Sequence, residues 1–145
     1  MYSVLLPIDG SEERAAAQAE MAASLPRAAD SVRATILRVF DDRKTAESTS
    51  VGQLTAGQAA QDALLDAGVA VDTETTYGDP AEEILRAAEA VDADLIVLGG
   101  RKRSPLGSLL FGSVSQAVTL DATRPVVVTG GVAEREDAER PAAAG

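Results

Sequence analysis

Val4-Leu5-Leu6-Pro7-Ile8-Asp9-Gly10-Ser11-Glu12-Glu13 passes from an apolar run through a turn into the acidic start of an Ala-rich stretch. An apolar run without polar alternation is the pattern of a strand buried on both faces. Ser11 offers a capping hydroxyl, and Glu12 and Glu13 put negative charge at the positive end of a helix dipole. The stretch therefore reads as a strand over residues 2–6, a turn, and a helix over residues 11–25.

The same grammar recurs along the chain. Apolar runs predict strands at 32–39, 69–76, 95–98 and 126–129, and the stretches between predict helices at 54–67, 80–90 and 113–121. Asp79-Pro80-Ala81-Glu82 combines an N-cap carboxylate, a proline at the first helical position and an acid at the third. Ser113-Val114-Ser115-Gln116 fits a reciprocal capping box in which Gln116 reaches back to the Ser113 backbone. Five strands separated by four helices imply right-handed crossovers, hence an α/β protein with a doubly wound parallel sheet and helices on both faces. Two stretches fall outside this pattern. Residues 41–52, with Asp41, Asp42, Arg43, Lys44 and a Ser/Thr cluster, read as a mobile polar connection. Residues 132–145 read as a flexible acidic tail behind a single domain of residues 1–131.

The 145 residues carry 23 acidic and 13 basic side chains, a formal charge of −10, and are 46% hydrophobic. That content suits one buried core. With 3% aromatics and this charge, neither base stacking nor phosphate coating is available, so no nucleic-acid partner is expected. The absence of Cys and His excludes disulfides, Ser-His-Asp triads, Cys or His nucleophile dyads and ordinary zinc sites. No obvious catalytic base remains beyond carboxylates, so any ATP hydrolysis is expected to be slow. No basic leader precedes the first run, and no apolar stretch approaches the about 18 residues of a membrane span. A cytoplasmic protein without a membrane partner is expected. Only Lys44 and Lys102 are lysines among the 13 cations. Arginine-biased cations under excess carboxylate resemble halophilic proteins of salt-accumulating microbes.

In an open parallel sheet, ligands bind beyond the carboxyl ends of the strands, where the strand order reverses. Two loops matter. Pro7-Ile8-Asp9-Gly10-Ser11 follows the first strand, and Asp9 there either accepts hydrogen bonds from a base or ribose, assists a phosphate-held metal, or braces the turn at Gly10. The fifteen residues from Gly99 to Ser113 follow the fourth strand and hold Arg101, Lys102 and Arg103. Their glycines permit close backbone approach, and they end at a helix N-terminus that favours an anion. Phosphate is the expected guest. A P-loop is not present, because Gly107 and Gly112 have its separation but Ser113 stands at its lysine position.

Taken together, Val4 to Ser11, Tyr77-Gly78-Asp79-Pro80, Leu95-Ile96-Val97-Leu98-Gly99, Gly112-Ser113-Val114-Ser115 and Arg124-Pro125-Val126-Val127-Val128 resemble the universal stress protein family across residues 2–129. The acidic composition suggests a haloarchaeal-type member. The resemblance implies a Rossmann-like five-stranded sheet of order 3-2-1-4-5, a homodimer through the strand at 126–129, and ATP or another adenine nucleotide as ligand, with or without Mg. By the same resemblance, Pro7, Ile8, Asp9 and Val39 flank the adenine and ribose. Leu98 and Gly99 line the sugar-phosphate edge, Arg101 and Lys102 lie in the phosphate loop, and Gly112, Ser113, Val114 and Ser115 hold phosphates. ATP-binding members carry a glycine, two residues, a glycine, nine residues, then glycine and Ser or Thr. Gly99 and Gly112-Ser113 keep that spacing, with Lys102 in place of the middle glycine. Lys102 either blocks the path or sets an ammonium on the phosphates. The implied role is a nucleotide-binding, homodimeric regulator in stress response. The alternative is a scaffold dimer of the same fold whose loop has lost the ligand.

Overall fold

The computed structural model describes residues 1–103, 108–110, 112–130 and 132–133, with side chains described at 1–100 and 112–130. In chain order its elements are β1 (Tyr2–Ile8), α1 (Glu12–Ala23), α2 (Ala28–Ser31), β2 (Val32–Phe40), α3 (Arg43–Ser48), a 3-10 turn (Val51–Gln53) and α4 (Thr55–Asp66). There follow β3 (Ala70–Tyr77), α5 (Pro80–Ala90), β4 (Leu95–Leu98), β5 (Arg101–Arg103), β6 (Ser108–Leu110), α6 (Ser113–Asp121), β7 (Val126–Val128) and β8 (Val132–Ala133).

The main sheet has the order β3-β2-β1-β4-β7, with every neighbouring pair parallel. This is the expected doubly wound order. Strand parity explains how both faces are covered. Val4, Leu6, Ile8, Ala34, Ile36, Leu95 and Val97 pack with Ala15, Ala19 and Ala22 of α1 and Ala56, Ala60 and Leu64 of α4. The alternate residues Leu5, Leu37, Ile96 and Leu98 pack with Ile84 and Ala88 of α5 and Val118 of α6. All four residues of β4 are buried, which is why that strand reads as an unbroken apolar run. The alanines let helices approach closely, and Gly57 of α4 lets the 3-10 turn do the same, because a Cβ there would clash with the Val51 carbonyl oxygen.

Local starts behave largely as their residues dictate. Ser11 Oγ accepts from the Arg14 N–H at 3.2 Å, and Asp79 accepts from the Glu82 N–H at 3.0 Å. Four expectations need correction. Residues 41–52 are not irregular: Asp42 caps α3 by accepting from the Thr45 N–H at 2.8 Å, and Ser50 and Gln53 cap the 3-10 turn reciprocally. Ala46 and Val51, 6% and 1% exposed, anchor these short elements to the core. At α6 the cap is Gly112, with no side-chain cap; the Gln116 N–H donates to the Gly112 carbonyl, so Ser113 is the first helical residue and the proposed capping box is absent. The loop between Gly99 and Ser113 contains an antiparallel pair, Arg101 opposite Leu110 and Arg103 opposite Ser108, and β8 adds in parallel to β5. The flexible tail expected at 132–145 needs correction at its start, where Val132 and Ala133 form β8 against β5, and its remainder lies outside the described residues.

A crevice at the switch point as candidate functional site

β1 pairs with β2 from Tyr2↔Val32 through Ile8↔Arg38, but with β4 only at Val4↔Leu95 and Leu5↔Ile96. Beyond Leu5 the two central strands part. Their carbonyls then need another donor, and Gln18 of α1 supplies it. Its Nε2 donates to the Pro7 carbonyl at 2.6 Å and to the Val97 carbonyl at 2.9 Å, with the residue 2% exposed. Pro7 has no N–H to leave unpaired, so a proline is tolerated in a central strand at this place. Gly99 completes the seam. A Cβ on it would stand 3.0 Å from Gln18 Oε1 and 3.2 Å from Arg14 Cβ, so glycine is what lets the chain pass over α1 here.

The first turn is held by charge. Asp9 Oδ1 accepts from the Ser11 N–H at 2.9 Å, and Oδ2 accepts from Arg14 Nε at 3.1 Å and Nη2 at 2.9 Å. The turn-bracing role considered for Asp9 is therefore real. On the far side of the crevice, the Thr129 N–H donates to the Leu98 carbonyl at 3.0 Å and the Gly100 N–H donates to Thr129 Oγ1 at 3.3 Å. These bonds tie the start of the hairpin to the end of β7.

The parted strand ends and the start of α6 enclose a cavity of about 330 Å³. Pro7, Ile8, Asp9, Val39, Leu98, Gly99, Gly112, Ser113, Val114 and Ser115 all line it, so the structure brings together ten residues singled out in the sequence. The side chains of Arg101 and Lys102, the other two, lie outside the described residues. Arg14, Gln18, Leu37, Arg38, Pro80 and Ile84 also line the cavity and were not anticipated. A signal for two of them existed. Arg14 and Gln18 share the inner stripe of α1 with Ala15, Ala19 and Ala22, and polar residues on a buried stripe call for a buried partner. Arg38 sits with its Cζ 5.3 Å from the Phe40 ring centroid, a cation-π contact that holds the guanidinium.

Chemically, the cavity joins apolar walls, a carboxylate–guanidinium pair and a helix start without a side-chain cap. The first N–H groups of α6 have no carbonyl partner within their own helix, and such groups favour an anion. Among the described residues no three carboxylates gather into a metal-binding group.

Comparison with known proteins agrees with this architecture. The chain is 43% identical over 65 residues to a universal stress protein of Mycolicibacterium smegmatis, a match covering 44% of this chain and 50% of the relative. Matches to the curated relatives span between 34% and 50% of the relatives' lengths. A solved universal stress protein from Archaeoglobus fulgidus superposes with a TM-score of 0.72 at 26% identity, covering 89% of this chain and 98% of that one. Another from the same organism, in complex with dAMP, shares the fold with a TM-score of 0.66 at 20% identity, covering 89% of this chain and 98% of that one. The model of the Universal stress protein family matches residues 1–130, and with the sheet order and the switch-point crevice in place, the chain belongs to that family.

Proposed function

We propose that the chain binds an adenine nucleotide in the switch-point cavity and acts as a homodimeric regulator in stress response. One observation carries the reading: a single cavity joins the apolar surfaces of Leu37, Val39, Ile84 and Leu98, suited to a base, to the uncapped start of α6 at Gly112 to Ser115, suited to a phosphate. Proteins of the same fold have been solved in complex with dAMP, cAMP and AMP, which supports the ligand class. Each charge-assisted hydrogen bond from the helix start contributes about 1.5 to 3 kcal/mol.

The position of β7 supports the dimer. It ends the main sheet, and among the described residues no strand pairs with its outer side. An open edge of three valines is suited to pairing with a second copy. The charge excess supports a halophilic, haloarchaeal-type setting. A cytoplasmic location belongs to the same proposal; among the described residues no helix is long and apolar enough to cross a membrane.

Calorimetric titration with AMP, ADP and ATP, with and without Mg, in molar KCl tests the ligand. Saturable heat is expected for at least one nucleotide, and tighter ATP binding with Mg would assign the metal to the phosphates. Absence of both heat and a thermal shift at millimolar nucleotide would defeat the nucleotide reading and leave the scaffold reading. Replacing Lys102 by Gly decides its role: tighter ATP binding means that the lysine obstructs, and weaker binding means that it grips phosphate.

A further inference from the structure

We propose that Arg14 is a positioning residue of the cavity, fixing the Asp9 carboxylate so that the site selects ligands by their ribose hydroxyls. The inference rests on the nucleotide reading above and concerns residues of α1 that the sequence did not single out.

Exposure separates the two partners. The Asp9 side chain is 47% exposed and that of Arg14 only 5%, so an arriving ligand meets the carboxylate with the guanidinium behind it. Two donors of Arg14 converge on Oδ2 and the Ser11 N–H holds Oδ1, so both carboxylate oxygens are fixed. Arg14 is itself held in place. Its N–H donates to Ser11 Oγ, and its Cβ lies under Gly99. A fork of this kind orients a carboxylate in a way that a point charge cannot.

The chemistry of the fixed group then restricts what it reads. An ionised carboxylate only accepts hydrogen bonds, and like charge keeps a phosphate away from it. The anionic end of a nucleotide belongs at the start of α6, which leaves the sugar hydroxyls as donors for Asp9. Asp9 and Arg14 each hold a further interaction, so a ligand hydroxyl meets a carboxylate that is already partnered and does not fill a gap.

The test is titration of the full chain and of Arg14→Met and Arg14→Lys with AMP and with 2′,3′-dideoxy-AMP, alongside a melting curve for each protein. Wild type is expected to prefer AMP by about tenfold or more, the factor that a hydrogen bond to a charged group supplies. Arg14→Met should bring the two ligands to within about twofold of each other, because an unoriented carboxylate loses most of that bond. Arg14→Lys, which keeps the charge without the fork, should fall between. Equal affinities in wild type overturn the inference and leave the nucleotide reading standing. So does an AMP preference that survives in Arg14→Met while both affinities fall together, the mark of a purely structural role. Should Arg14→Met fail to fold, an unchanged preference in Arg14→Lys overturns it instead. Absence of binding by wild type to either ligand overturns both readings.

Discussion

Gln18 and Gly99 exclude each other's bulk: the Gln18 carboxamide occupies the space in which any side chain at position 99 would start, 3.0 Å from its Cβ. Gln18 cannot yield, because its Nε2 is committed to the Pro7 and Val97 carbonyls. The glycine at the end of β4 thus belongs to the sheet as well as to the crevice.

Gly99→Ala should destabilise the protein by about 1 to 3 kcal/mol, the usual range for overpacking a close contact. Chemical denaturation measures it. In a Gln18→Ala background the cost should shrink, because the opposing group is gone; an equal cost in both backgrounds would place the clash elsewhere.

Gln18→Met keeps the volume and removes the donor. Two carbonyls, that of Val97 buried and that of Pro7 part-buried, then lose their partner, each worth about 1 to 3 kcal/mol, so a loss of roughly 2 to 6 kcal/mol is expected in a urea titration. A loss below 1 kcal/mol would mean that water replaces the carboxamide.

Gly112→Ala separates folding from binding. Among the described residues nothing lies within 4 Å of the Cβ this change adds, and the backbone there has φ −71° and ψ 167°, open to any residue. The melting temperature should hardly move. Nucleotide affinity should fall several-fold if a phosphate rests against the start of α6, and an unchanged dissociation constant would remove the phosphate from that place.

Acid should selectively loosen α3. The Thr45 N–H and hydroxyl both donate to Asp42, chiefly the backbone N–H, and hold its pKa below the ordinary aspartate value. A carboxyl depressed on folding contributes stability that is complete above its unfolded pKa of about 3.9 and disappears as pH falls through the folded value. Wild type should therefore exceed Asp42→Ala in stability at neutral pH, with the gap closing below about pH 4. A gap independent of pH would show that the cap acts without its charge.

Salt should stabilise the fold. With 23 acids against 13 bases, self-repulsion is strong at low ionic strength, where the Debye length reaches about 30 Å at 0.01 M, and weak at 1 M, where it is about 3 Å. A melting series in KCl should rise toward molar salt. A flat series would sink the halophilic reading.

How much was legible in the sequence depended on how far each element speaks for itself. β4 announced itself because all its residues are buried, and α5 because Asp79 and Pro80 mark its start. β1 runs two residues past the expected end, since Pro7 sits where β4 has departed and loses no ladder bond. The short α3 and its 3-10 neighbour were invisible, as Ala46 and Val51 are single anchors with no periodicity. At the site, the strand ends and the start of α6 followed from the rule for switch points. Arg14, Gln18, Leu37, Arg38, Pro80 and Ile84 did not, because only the packing of α1, β2 and α5 around those ends brings them in.

Titration of the isotope-labelled protein with AMP, followed by amide NMR, tests the central claim most directly. The amides of Ser113, Val114 and Ser115 should shift together with those of Val39 and Gly99 and saturate along one binding curve. Shifts confined to other surfaces, or none at millimolar AMP, would contradict the assignment of this crevice to a nucleotide.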